Sequence, residues 1–165
     1  MHDIAIVPAT PAMADQIAAI LVETGWFEAV QHARVEEVLA CANRDSRSVL
    51  IAQDMDGNVI GYVAYHRIPY LFLAADEAYV SELFVREGQR GKGVGSALLD
   101  AAVRDACGNG VARMMLITGR NRESYRRGFY QKKGWREREE MANFVVSCQG
   151  IRENAGRGLT ASSGS

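Results

Sequence analysis

The segment from Arg90 to Gly95, Arg-Gly-Lys-Gly-Val-Gly, joins three glycines to two cations and predicts an anion-binding loop. It follows an alternating apolar run over 79–85 and leads into an apolar-patterned segment over 96–103. Glycines let a backbone turn tightly and approach a ligand closely. The N–H groups at the start of a helix favour phosphate oxygens. The segment therefore predicts a phosphate cradle, with a plain strand-to-helix turn as the simpler alternative.

Two common phosphate loops do not fit this spacing. A dinucleotide loop requires Gly-x-Gly-x-x-Gly, whereas Gly91, Gly93 and Gly95 are two residues apart. A triphosphate loop requires Lys-Ser or Lys-Thr after its last glycine, and here Ser96 follows Gly95 directly.

Two sequence signatures are similar to those of the GNAT N-acetyltransferase superfamily. Arg90, Gly93 and Gly95 match its motif Arg/Gln-x-x-Gly-x-Gly/Ala, and the segment Phe129-Tyr130-Gln-Lys-Lys-Gly-Trp135 resembles its second signature. The resemblance covers residues 3–148. It implies an α/β (α+β) fold with a mixed central β-sheet flanked by helices in three layers. It also implies acetyl-CoA as the cosubstrate.

The resemblance implies that acetyl-CoA contacts the loop, the strand before it and one asparagine. The expected cofactor-binding residues are Leu83, Phe84, Val85, Arg90, Gly91, Lys92, Gly93, Val94, Gly95, Ser96 and Asn121. Many family members carry an asparagine seven residues before the signature tyrosine, where this chain has Glu123, so the pantetheine contact passes to Asn121. Four arginines either bind the 3′-phosphate of CoA or form a solvent-exposed face. They are Arg120, Arg122, Arg126 and Arg127.

Glu82 is the leading candidate for the general base, because an acceptor amine must lose a proton before it attacks a thioester. Strand alternation places Glu82 on the face of Val80 and Phe84, and apolar neighbours would raise the pKa of this carboxyl. The alternative is a carboxylate at an edge or paired with an arginine. His66 either lines the acceptor site or is an ordinary surface histidine.

Tyr130 is the candidate general acid. The resemblance places this tyrosine near the CoA sulfur, where a phenol can protonate the departing thiolate. The alternative is a tyrosine that only packs its helix.

The acceptor site is expected where residues 25–28 face residues 65–77. The second stretch contains Tyr70, Phe72, Asp76 and Glu77, and aromatic walls with carboxylates suit a cationic amine.

Composition favours a globular chain in a reducing, cytoplasmic setting. The 165 residues carry a net charge of −1, which does not suggest a nucleic-acid partner, and no membrane span or signal peptide is expected. Cys41, Cys107 and Cys148 suit neither a disulfide framework nor a metal site, and each is expected to be a small buried residue. A homodimer is left open.

The predicted elements follow the order β, α, α, β, β, β, α, β, α, β along one domain, 1–149, and a disordered tail, 150–165, is expected after it. Strands are expected over 4–7, 48–53, 59–65, 80–85, 114–118 (an interior strand) and 144–147, and helices over 13–24, 35–42, 94–107 and 123–133. A further strand over 135–139 is left open. The expected function is transfer of an acetyl group to a primary amine of a small molecule. Acetylation of protein lysines or amino termini, and acyl-CoA binding without catalysis, are the alternatives.

Overall fold

The computed structural model describes residues 4–25, 32–43 and 46–146. Their strands and α-helices are β1 (Ala5–Pro8), α1 (Ala14–Glu23), α2 (His32–Ala40), β2 (Arg47–Gln53), β3 (Val59–Ile68), β4 (Asp76–Val85), α3 (Val94–Gly108), β5 (Val111–Leu116), α4 (Glu123–Arg126) and α5 (Phe129–Lys132). The chain divides into two compact units, 1–126 and 127–165, and the five strands belong to the first.

The strands form one mixed sheet in the order β1-β2-β3-β4-β5. The first four pair antiparallel, and β4 and β5 pair parallel. The segment Asp56-Gly57-Asn58 predicts a hairpin between the second and third strands, and the β2–β3 connection confirms it. The Asp54 carboxylate accepts the backbone N–H groups of Asp56 and Asn58 and so fixes the turn. A mixed sheet flanked by helices is therefore confirmed.

A β-bulge interrupts the pairing of β3 with β4. Ala64 pairs with Glu82 and Tyr65 pairs with Val80, which leaves Ser81 as the extra residue of β4. Paired residues share a face, so Val80 and Glu82 lie on opposite faces of the sheet. The prediction that Glu82 shares a face with Val80 is wrong, because simple alternation does not anticipate an inserted residue. Its shared face with Phe84 is confirmed.

Helices of the first unit pack on both faces of the sheet. On one face, Ile17 and Ile20 of α1 and Leu39 of α2 join a buried cluster with Tyr62 and Ala64 of β3. The other face packs against α3, whose Leu98, Leu99 and Ala102 are fully buried, and the Tyr65 hydroxyl there donates to Asp105. This is the burial that the apolar periodicity of residues 94–107 predicts.

Three predicted elements differ from the structure, and the strand left open over 135–139 is absent. The helix predicted over 123–133 is two short helices, interrupted at Gly128, whose φ of 65° leaves the helical region. Residues 135–139 and 144–146 form no strand, and the side chains of 144–146 are exposed, while Ser147 lies outside the described residues. The strand predicted as interior, 114–118, is β5 at the end of the described strand order and is at most half-buried over 112–116.

The described cysteines are exposed, contrary to the prediction that they are buried. Cys41 follows the last residue of α2, and Cys107 lies in the last turn of α3 on its solvent side. Cys148 and the predicted tail, 150–165, lie outside the described residues.

Candidate active site

The glycine-rich loop forms a turn that ends at the first residue of α3. Gly91 has a φ of 76° and Gly93 a φ of 89°, a region that other residues enter only with strain. A Cβ built on Gly93 meets no atom within 4 Å, so the space above this backbone is open to a ligand. Gly93 caps α3, and its carbonyl accepts the N–H of Ala97 at 2.9 Å.

Charge and backbone donors converge at this loop. The first N–H groups of a helix have no partners within it, so those of Val94, Gly95 and Ser96 are available to an anion. The side chains of Arg90 and Lys92 are exposed beside them. Arg90 Nε donates to the carbonyl of Val85 at 3.1 Å and Lys92 Nζ donates to Oε1 of Gln89 at 3.2 Å, so both cations are held at the turn that leads into α3.

Strand β4 loses its parallel partner before it reaches the loop. Its pairing with β5 runs from Asp76 to Val80, whereas its pairing with β3 continues to Val85. Leu83, Phe84 and Val85 thus pair with β3 beyond the end of the parallel pairing, on the edge of β4 that faces β5, and they are half-buried. The carbonyl of Val85 is the acceptor of the hydrogen bond from Arg90 Nε. An extended chain with amide groups can add to such an edge as a further strand. The pantetheine arm of CoA is a chain of this kind.

Asn121 lies at the same end of the sheet as the cradle. It sits in the turn after β5. Because β5 runs parallel to β4, the carboxyl ends of both strands lie at the same end of the sheet. The turn is closed by a 3.0 Å hydrogen bond from the N–H of Arg122 to the carbonyl of Gly119, and Asn121 is exposed.

Glu82 is exposed and is held by a tyrosine. The Tyr62 hydroxyl donates to its Oε2 at 2.5 Å, and Tyr62 itself is only 2% exposed. Burial, and then the neighbouring Glu82 charge, raise the pKa of Tyr62, so this phenol remains a donor. The expectation that apolar residues enclose Glu82 is wrong, because the bulge directs Val80 to the other face and solvent reaches the carboxylate.

His66 lies on the same face as Glu82. Its Nε2 is 3.1 Å from the hydroxyl of the bulge residue Ser81. Partial burial and the charge of Arg47 lower the pKa of His66, and the Glu82 carboxylate opposes this shift. The net effect on His66 favours the neutral imidazole.

The carboxylates expected at the acceptor site are engaged by arginines. Asp76 lies 3.7 Å from the guanidinium of Arg67, and the buried Glu77 accepts a hydrogen bond from Arg113. At about 3.3 Å per strand residue, Asp76 lies about 20 Å from Glu82 along β4. These two carboxylates are therefore not brought together with Glu82. Residues 26–28, the other side of the expected site, lie outside the described residues.

Tyr130 lies in the second unit, where a tight helix end fixes its backbone. The N–H groups of Lys133 and Trp135 both donate to its carbonyl at 3.0 Å, and that of Gly134 donates to Gln131 at 2.9 Å. This pattern, with Gly134 at a φ of 80°, is a Schellman motif. The tyrosine and the glycine of the second signature thus belong to the same Schellman motif. The Tyr130 side chain is half-buried.

Sequence reasoning did not single out Tyr62 or Ser81. Tyr62 meets Glu82 only because of the strand register, and Ser81 is significant only because a bulge inserts it. Neither residue carries a signal in sequence spacing that would have found it.

Comparison with known proteins identifies the family. Residues 17–135 match the model of the Acetyltransferase (GNAT) family, and the chain belongs to that family. The GNAT family uses acetyl-CoA as its cosubstrate. The chain is also 33% identical over 94 residues to a protein of Bacillus subtilis (strain 168) named "Putative phosphinothricin acetyltransferase YwnH". That match covers 56% of each protein, so the chain spans about half the length of this curated relative.

Solved structures share the fold at low sequence identity. A ribosomal-protein-alanine N-acetyltransferase from Brucella melitensis biovar Abortus 2308 gives a TM-score of 0.73 at 21% identity, over 88% of this chain and 99% of that one. An aminoglycoside acetyltransferase, meta-AAC0020, from an uncultured soil metagenomic sample in complex with sisomicin gives 0.72 at 13%, over 88% and 97%. At these identities the likeness concerns the fold alone.

The described residues contain no group of three or more His, Cys, Asp or Glu side chains that could hold a metal ion. None of the helices in this part of the chain is both long enough and apolar enough to cross a membrane.

Proposed function

We propose that this protein transfers the acetyl group of acetyl-CoA to a primary amine of a small molecule. The observation that carries this proposal is the continuity between the end of β4, which extends beyond its pairing with β5, and the glycine cradle that follows it. The pair offers an edge for an amide-bearing arm and N–H groups for a pyrophosphate within one stretch of chain.

The cosubstrate contacts follow from that continuity. Leu83, Phe84 and Val85 supply the strand edge, the loop from Arg90 to Ser96 supplies donors and positive charge, and Asn121 lies at the same end of the sheet. Bound there, acetyl-CoA supplies an activated thioester carbon. A backbone N–H near Leu83 is the proposed donor to the oxygen that becomes negative when the amine attacks.

Glu82 is the proposed base. Deprotonating an alkyl ammonium of pKa about 10.4 at pH 7 costs roughly 4–5 kcal/mol. A nearby proton acceptor therefore removes a large part of the free-energy barrier to acetyl transfer. Tyr62 donates to one carboxylate oxygen of Glu82 and so orients the exposed carboxylate. Tyr130 is the proposed acid for the departing thiolate.

A small amine is the favoured acceptor class. The relative from B. subtilis is named for phosphinothricin, and one structural neighbour was solved with sisomicin. Another neighbour is named for a ribosomal-protein alanine, so a protein amino terminus is the second candidate. Sharing a fold does not separate the two.

The test is acetyl-CoA-dependent thiol release with a panel of small amines, a lysine peptide and a peptide with a free amino terminus. Thiol release with small amines at least about 10-fold above both peptides is expected. Thiol release only with a peptide would show that the acceptor is a peptide and not a small amine. Acetyl-CoA binding without thiol release for any amine would contradict an enzymatic role.

Glu82→Gln tests the base within the same assay. Activity should fall most near neutral pH and recover as rising pH supplies neutral amine from solution. Asp76→Asn is the matched control, because it removes a carboxylate from the same strand about 20 Å away. A pH profile of unchanged shape in Glu82→Gln would show that Glu82 is not the base.

A further inference from the structure

We propose that Ser81 and His66 form a second proton-accepting route beside Glu82, in which the Ser81 hydroxyl contacts the acceptor amine and His66 takes up the proton. The route rests on the proposed function, since it requires an amine at this face of β4.

The bulge brings the side chain of Ser81 next to both His66 and Glu82. Ser81 has no partner on β3, its side chain is exposed, and its hydroxyl lies 3.1 Å from Nε2 of His66. A bulge places the extra residue and the next one on nearly the same side of a strand. The Ser81 hydroxyl and the Glu82 carboxylate are therefore adjacent groups on the face toward α1.

The Ser81 hydroxyl has two neighbours and one proton to donate. Its oxygen lies 3.3 Å from the carbonyl of Ala64 and 3.1 Å from the imidazole. The hydroxyl donates to the carbonyl of Ala64, and rotation about its Cβ–Oγ bond turns this donation to Nε2, which requires the neutral tautomer with its proton on Nδ1. The lone pairs of the Ser81 oxygen are then left for an N–H of the acceptor.

The groups around His66 keep it neutral without excluding protonation. Arg47 on β2 is its cross-strand partner, Tyr79 is its partner on β4, and Glu82 lies on the same face. Partial burial and Arg47 disfavour the imidazolium, and Glu82 favours it. A neutral imidazole with a nearby carboxylate can take up a proton during turnover.

The proton transfer balances without any further reactant. One ammonium proton passes to the Ser81 oxygen while the Ser81 hydroxyl proton passes to Nε2 of His66. The amine becomes neutral, Ser81 is unchanged, and His66 becomes an imidazolium beside the Glu82 carboxylate. Deprotonation by solvent after the acetyl transfer restores the starting state.

Two parallel acceptors predict that Glu82→Gln retains activity carried by His66. In that background, His66→Gln and Ser81→Ala should each lower kcat/KM by a further factor of about 100, the lower end of the range typical of general base catalysis. Ser81→Thr keeps the hydroxyl and should restore activity. The Glu82→Gln profile should therefore keep a His66-dependent component, whose acid limb lies below pH about 6.5 because the pKa of His66 is lowered, in addition to the recovery at higher pH that neutral amine from solution supplies. The Glu82→Gln/His66→Gln profile should show that recovery alone. Superimposable profiles for Glu82→Gln and the Glu82→Gln/His66→Gln double variant would overturn the route.

Imidazole nitrogen NMR tests the hydrogen bond independently of any acceptor, with His66→Gln assigning the signal among the three histidines. An unprotonated Nε2 at pH 7 that is perturbed by Ser81→Ala is expected. A proton on Nε2 overturns the route whether or not the enzyme turns over an amine. An unprotonated Nε2 in a protein that acetylates no amine would instead contradict the proposed function, and with it the catalytic role of the pair.

Discussion

Replacing Gly93 with valine should greatly weaken acetyl-CoA binding at a small cost in folding. Gly93 has a φ of 89°, and a Cβ there meets no protein atom within 4 Å. The valine side chain therefore fits the protein itself but fills the space that the pyrophosphate requires.

The two effects have separable magnitudes. A side chain in the left-handed region costs about 1–2 kcal/mol. For a chain of this size, each kcal/mol lowers Tm by about 2–4 °C, so the folding penalty is about 2–8 °C. Losing two hydrogen bonds to a charged phosphate costs about 3 kcal/mol or more, since each contributes about 1.5–3 kcal/mol. The Kd for acetyl-CoA should rise by a factor of about 100 or more.

Gly110→Val is the matched control. Gly110 has a φ of 82° and equally open surroundings, and it follows the far end of α3, about 22 Å from the cradle at 1.5 Å per helical residue. The control should lose similar stability and keep its affinity for acetyl-CoA.

The assay combines calorimetric titration with thermal unfolding. Acetyl-CoA at 100 times the wild-type Kd adds about 2.7 kcal/mol of stability, which should raise Tm by about 5–11 °C in the wild type and the control. In Gly93→Val the same concentration only matches the weakened Kd, and the rise should be about 1–2 °C. A folded Gly93→Val protein with wild-type affinity would refute the assignment of the cradle.

Three tyrosines offer separate tests. Tyr130→Phe should lower kcat by about 10- to 1000-fold with little change in acetyl-CoA affinity, and wild-type turnover on an acceptor for which chemistry limits the rate would leave Tyr130 a packing residue. Tyr62→Phe removes the hydrogen bond to Glu82 and should lower kcat/KM by about 10-fold at unchanged acetyl-CoA affinity, whereas an unaltered kcat/KM would contradict its orienting role. Burial, aided by Asp105, raises the pKa of Tyr65 to about 12. The unfolded phenol ionises at about 10, so the free energy of unfolding should fall as pH rises between these values, and urea denaturation should show a smaller fall in Tyr65→Phe.

The sequence was most informative where a local conformation is encoded locally. The cradle follows from glycines, cations and a helix start that are adjacent in the chain, and the β2–β3 hairpin follows from its Asp-Gly-Asn turn. The periodicity of residues 94–107 likewise predicts α3 and its buried face. None of these features depends on knowing which strands are neighbours.

Features that depend on strand register could not be predicted in this way. The bulge at Ser81 places Val80 and Glu82 on opposite faces, and no residue type announces an inserted residue in an antiparallel pair. The hydrogen bond from Tyr62 to Glu82 joins residues 20 positions apart, and only the register brings them together. The ion pairs of Asp76 and Glu77 were missed for the same reason, since their arginines come from β3 and β5.

The Schellman motif at the end of α5 has a consequence for how variation in this protein would be interpreted. Two N–H groups hold the carbonyl of Tyr130, and one of them is delivered by the backbone reversal at Gly134. A substitution at Gly134 would disturb the attachment of the tyrosine without touching its ring. In a mutational scan scored by activity, substitutions at Gly134 would then be as damaging as substitutions at the proposed acid, Tyr130, and the proposed base, Glu82. Conservation of this glycine across the family would then reflect the need to hold the Tyr130 side chain in a fixed position.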